Sequence, residues 1–142
     1  MQTLENTKTV YDLVTTAGKE YGEKIFLKYE DNDVVTAVTY SQFVKESMGI
    51  AAWIEEQNII SGRKIHVALL GSSSHRYLNA LIGVLMNGNV AIPLDPQLDA
   101  EKLADNLTRA EVDLLIYDWE FHDLIKETLV NMDHLVRCVC FQ

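Results

Sequence analysis

Gly71-Ser72-Ser73-Ser74 separates an apolar run at residues 65–70 from a helix-forming stretch that opens with His75 and Arg76. A turn that leaves a strand and starts a helix presents free backbone N–H groups, and such groups attract anions. Ser72, Ser73 and Ser74 are therefore candidate contacts for a phosphate or another anion. The competing reading is a plain strand-to-helix turn in which Ser74 caps the helix. The stretch is neither G-x-G-x-x-G nor G-x-x-x-x-G-K-[ST], so the dinucleotide and P-loop mechanisms lack their glycines and their lysine.

Other reactive side chains do not form a set. His66, His75, His122 and His134 are scattered, with no pair at helical spacing and no H-E-x-x-H. No G-x-S-x-G elbow is present, which removes the usual hydrolase nucleophile. Cys138 and Cys140 would share one face of a strand, too close along it for an ordinary disulfide, and read as inert buried thiols. Glu30, Asp31 and Asp33 read as the solvated tip of a hairpin, and Asp95, between Pro93 and Pro96, as the cap of an extended turn. These residues give no catalytic assignment and no metal site.

The elements that must position the serine loop follow from periodicity. Thr9 caps a first helix with Val10, Leu13, Val14, Ala17 and Tyr21 on one face, and Gly22 ends it. Residues 25–29 and 34–38 predict two strands joined by a polar turn at 31–33. Thr39 or Ser41 caps a second helix that buries Phe43, Val44, Ile50, Ala51 and Ile54, leaves Lys45, Glu46, Glu55 and Glu56 wet, and stops near Asn58. The linker at 61–64 suggests a division into an N-terminal appendage, 1–60, and a β/α unit, 61–142.

From residue 65 the rhythm becomes strand, turn, helix. Strands are expected at 65–70, 90–94, 112–117 and 135–141, with helices at 75–87, from Asp99 through Ala110, and at 120–131. The first of these helices carries Leu78, Leu81, Ile82 and Leu85 beside Ala80 and Val84, and the short strand at 90–94 reads as covered on both faces. The second of these helices faces Leu103, Ala104, Leu107 and Ala110 inward, and the last uses Phe121, Leu124, Ile125 and Leu129. The alternation implies an α/β fold with a mainly parallel sheet, flanking helices and right-handed crossovers, preceded by a helix and a hairpin.

The 142 residues are 48% hydrophobic, enough for one core, and carry a net charge of -9 without a basic run, which argues against nucleic acid and anionic lipid partners. The first residues lack a leader pattern and no apolar stretch is long enough to span a bilayer, so a cytoplasmic protein without membrane insertion is expected.

Taken in order, Thr39-Tyr40 with Phe43, residues 62–70, Gly83-Val84-Leu85 with Gly88, and the crossing "VAIPLDP" at 90–96 resemble the N-terminal portion of the adenylate-forming (AMP-binding) superfamily of acyl-CoA synthetases, luciferases and nonribosomal peptide synthetase adenylation domains. The similarity runs over about residues 9–118. Two places depart from the family pattern: Asn87-Gly88-Asn89 stands for Ala-Gly-Ala, and Gly62-Arg63 for Gly-Asp. The resemblance implies part of the acetyl-CoA synthetase-like fold. It also implies, for the whole enzyme, ATP and Mg²⁺, formation of an acyl- or aminoacyl-adenylate, and transfer to a CoA or carrier-protein thiol. The family's lysine-bearing phosphate loop and nucleotide contacts map onto no residue here. Phe141-Gln142 therefore reads as a cut in mid-domain, and the expectation is a fragment inactive alone, prone to self-association and completed by the rest of the enzyme. The alternative is a free-standing flavodoxin-like binding or scaffold module; a receiver domain would need an acidic pair after residues 65–70, where Gly71 and serines stand.

Overall fold

The computed structural model describes residues 7–141. The expectations for the leader-free start and for Gln142 fall on residues outside that range, and the expectation for Asp31 falls on a side chain that is not described. Helix α1 (Val10–Tyr21) opens with a capping box: the Thr9 hydroxyl accepts from the Asp12 amide at 3.1 Å and the Asp12 carboxylate accepts from the Thr9 amide at 3.1 Å. Strands β1 (Ile25–Asp31) and β2 (Val34–Thr39) pair antiparallel. Asn32 and Asp33 both take positive φ, 50° and 63°, so the turn needs only two residues and β1 runs on to Asp31. Helix α2 (Tyr40–Ser61) is capped by Thr39, whose hydroxyl accepts from the Gln42 amide, and not by Ser41. It also passes the expected stop. Asn58 is buried and donates to Glu55 inside the helix, which ends at Gly62.

The remaining elements are β3 (His66–Leu70), α3 (His75–Met86), β4 (Val90–Pro93), α4 (Ala100–Arg109), β5 (Leu114–Asp118), a 3-10 turn (Trp119–Phe121), α5 (His122–Val130) and β6 (Arg137–Phe141). The strands form one parallel sheet in the order β4-β3-β5-β6. Alternation along the central strands sorts two cores. Val67, Leu69, Leu114 and Ile116 pack with Ile54 of α2 and Ala80 and Val84 of α3. Ala68, Leu70, Leu115 and Tyr117 pack with Leu103 and Leu107 of α4 and Ile125 of α5. The hairpin and α1 stand beside this three-layer unit, with α1 resting on α2 and α3.

That placement corrects two expectations about faces, for α1 and β4, and gives α3 neighbours around its girth. Helix α1 touches helices and not the sheet, so of its apolar positions only Val14 is buried, while Leu13 and Tyr21 remain exposed. Helix α3 has three neighbours: Ala80 and Val84 face the sheet, Gly83 faces α2, and Leu78 and Ile82 line an apolar recess beneath α1 with Val14 and Phe43. Strand β4 is an edge strand with Val90 46% exposed, not one covered on both faces. Pro93, which has no N–H, is tolerated at such an edge.

Helices α2 and α3 approach closely because Gly83 has no side chain. A Cβ there would lie 2.6 Å from Ile50 Cγ2 and 3.1 Å from the Ser47 carbonyl oxygen. One turn away the Ser47 hydroxyl donates to Asn79 Oδ1 at 2.8 Å, and Asn79 Nδ2 donates to Glu46 at 2.7 Å, so both buried polar groups are satisfied across the crossing.

Arg63, Asn87 and Asn89 tie the amino edge of the sheet and the helix beside it. Arg63 forms a bidentate pair with Asp113, at 2.6 and 3.1 Å, and Asp113 also accepts from the His66 amide at 2.8 Å. Asn89 Oδ1 accepts from the Ile65 amide at 2.9 Å, and Asn87 donates to the Ala51 carbonyl. At the far edge, Cys138 and Cys140 point toward the α4/α5 side and are half-buried, less enclosed than the sequence implied. Burial raises both thiol pKa values, and for Cys140 the Asp118 carboxylate adds to the rise.

Two outcomes follow. Gly83→Ala lowers urea stability by about 1–3 kcal/mol, and a companion Ile50→Ala recovers part of that loss. Gly49→Ala, whose Cβ meets nothing within 4 Å, raises it by about 0.5–1 kcal/mol; equal losses at both glycines would contradict the close crossing. Since the raised pKa leaves less thiolate near neutral pH, both cysteines react with Ellman's reagent more slowly in the native chain than in urea, and the gap narrows as pH rises.

Candidate functional site

A parallel sheet places the carboxyl ends of all its strands on one edge. From β3 the chain crosses to β4 on one side and later to β5 on the other, so the loops after β3 and β5 part and leave a crevice between them. The serine loop is the first of these, and residues 118–121 form the second.

The crevice does not hold three free hydroxyls. Ser72 Oγ donates to the carboxylate of Glu120. Ser74 caps α3, its hydroxyl oxygen accepting from the Tyr77 amide at 3.1 Å. Ser73 is exposed on the loop. Beside them a recess of about 270 Å³ is lined by Tyr29, Glu30, Ser74, His75, Arg76, Asp118 and Phe141. Its charges are mixed, with Glu30 and Asp118 set against Arg76.

His75 is the organised member of the recess. Its ring stacks on Tyr29 with centroids 4.5 Å apart, and its Nε2 lies 4.0 Å from Glu46 Oε2. Glu46 also accepts from Gln42 at 3.0 Å and from Asn79 at 2.7 Å. The sequence placed Glu46 in solvent; its side chain is 37% exposed and joins α2 to α3, while the hairpin reaches it only through His75.

The other histidines lie apart. His66 Nδ1 hydrogen-bonds the Ala110 carbonyl at 2.7 Å at the amino edge. His122 stacks on Trp119 at 4.2 Å and hydrogen-bonds the Tyr117 hydroxyl at 2.8 Å on the α4/α5 side. Burial raises the Tyr117 pKa, with Cys140 and Cys138 adding to the rise. His134 is exposed ahead of β6. Asp95 accepts from the Gln97 amide at 2.9 Å and so caps its own turn. Among the described residues no three His, Cys, Asp or Glu side chains gather to hold a metal ion, and no helix is long and apolar enough to cross a membrane.

Periodicity missed Tyr29, Asp118, Glu120 and Phe141. The signal was topological: once the sheet is parallel, Asp118 and Glu120 follow the strand beside β3 and must share its carboxyl edge.

The profile of the AMP-binding enzyme family matches residues 14–140. Tyrocidine synthase 2 of Brevibacillus parabrevis is 26% identical over 111 residues, 76% of this chain and 3% of its own length. A polyketide synthase-nonribosomal peptide synthetase of Phaeosphaeria nodorum is 28% identical over 110 residues, 78% of this chain and 3% of its own. Among solved structures, the luciferase-like enzyme of the Zophobas morio mealworm superposes with a TM-score of 0.83 at 18% identity, covering 100% of this chain and 32% of that one. The anthranilate CoA ligase solved with anthranoyl-AMP gives a TM-score of 0.78 at 18% identity over 94% of this chain and 25% of its own. These likenesses establish the acetyl-CoA synthetase-like α/β fold. The chain spans a small part of each relative, a few percent of the curated synthetases and a quarter to a third of the solved ligases. With the family profile covering nearly the whole sequence and the fold agreeing, the chain belongs to the AMP-binding enzyme family, the adenylate-forming ligases.

Proposed function

We propose that these residues are the N-terminal scaffold of an ATP-dependent acyl- or aminoacyl-adenylating ligase. That enzyme joins a carboxylate to ATP, releases pyrophosphate, and passes the acyl group to the thiol of CoA or of a carrier protein in the cytoplasm. The observation that supports the scaffold reading is the state of the crevice. A triphosphate and Mg²⁺ need a cradle of donors and cations, whereas here Ser72 is engaged by Glu120, Ser74 by its own helix, and Glu30 and Asp118 line the recess. The residues present do not fit a triphosphate, so ATP and Mg²⁺ fall to the remainder of the ligase.

The remainder also has a place to pack. On the α2/α3 side of the sheet an apolar groove of about 360 Å³ lies open beside β6, with Ile50, Trp53, Ile116, Val139 and Phe141 in its walls. An uncovered apolar face of this kind favours association.

Calorimetry of the 142-residue chain with ATP and Mg²⁺ is expected to show no saturable heat at micromolar concentrations, while sizing chromatography shows association that grows with concentration. Val139→Asp should abolish the association. Low-micromolar ATP affinity, or a strict monomer at high concentration, would overturn the reading.

A further inference from the structure

On the outer side of the molecule, away from the sheet, α1 and α2 enclose a second groove of about 520 Å³. Its floor exists because Gly18 lets α2 approach: a Cβ there would lie 2.9 Å from Val44 Cγ2. One wall is Tyr11, Thr15 and Lys19 of α1; the other is Val44, Lys45 and Met48 of α2. Each wall is a single helical face, and Tyr11 and Met48 are 45% and 42% exposed. Two helices with side chains so spaced form the ridges between which a third helix packs.

The charge of the groove departs from that of the chain. Overall the protein carries -9, yet the charged residues lining this groove are lysines only, and neither Lys19 nor Lys45 makes an ion pair among the described residues. A cationic rim around an apolar floor selects an occupant with the opposite rim. In a second copy, α4 displays Glu101 and Asp105 and α5 displays Asp123 and Glu127, but Leu103, Leu107 and Ile125 of those helices are buried in their own core.

We propose that the α1/α2 groove docks an acidic amphipathic helix from a partner protein or domain, with apolar residues at i, i+3, i+4 and i+7 on Tyr11, Val44 and Met48, and carboxylates flanking them toward Lys19 and Lys45. This surface is separate from the open sheet face at β6 and does not depend on the ligase reading.

Two fluorescein-labelled synthetic helices of about 20 residues, identical in their apolar stripe and flanked by either Glu or Lys, test the proposal by anisotropy on the whole chain. The Glu peptide should bind at least tenfold tighter than the Lys peptide, and the difference should shrink as salt rises. Lys19→Glu/Lys45→Glu should reverse the preference, and Met48→Asp should weaken both peptides; circular dichroism checks that each variant folds. Failure of the Glu peptide to bind, equal binding of both, or an unchanged preference in the double variant would overturn it. So would self-association of the wild-type chain that the double variant removes, since that assigns the groove to a second copy.

Discussion

The architecture depends on the bare Cα of Gly83, which lets α3 lie directly against Ile50 and the Ser47 carbonyl of α2. Both helices must also cover the same face of β3 and β5, where Ile54, Ala80 and Val84 meet Val67, Leu69, Leu114 and Ile116. If α3 were held off by even one methyl group, it could not satisfy the crossing and the sheet together. The buried Ser47–Asn79 hydrogen bond gives the crossing a register, because a slip by one turn would leave both polar groups unpaired in the core.

From that crossing the carboxyl edge is built outward. Asn79 holds Glu46, Glu46 lies against His75, and His75 stacks on Tyr29 of the hairpin. The start of α3, and with it the serine loop, is therefore tied to two other elements, α2 and the hairpin, before any ligand arrives. At the opposite edge, Arg63 with Asp113, and Asn89 with the Ile65 amide, keep the strand starts paired.

Much of this was legible in the chain itself. Local rules found Thr9, Ser74 and Asp99 as caps, because a side-chain acceptor and an amide three residues on lie within one turn. Among the described residues they found all six strands and five α-helices in order, since apolar periodicity survives any tertiary arrangement. They failed where a face is decided by what lies opposite: α1, whose apolar stripe meets helices and not the sheet, and β4, whose apolar run sits at an edge. At the crevice the serines were visible as a motif, but their partners were not. Glu120 lies 48 residues from Ser72 in sequence, and only the pairing of β3 with β5 brings them together.

On the proposed reading the serine loop is an internally bonded turn of a ligase scaffold. Residue-resolved amide shifts of the isotope-labelled chain, recorded while inorganic pyrophosphate is added, test it most directly. The amides of residues 72–76 are expected to stay in place, because the Ser72 hydroxyl is held by Glu120 and the Ser74 oxygen by the Tyr77 amide. Saturable shifts confined to those amides, lost in Ser72→Ala or Ser73→Ala, would contradict it and make the loop an anion site in its own right.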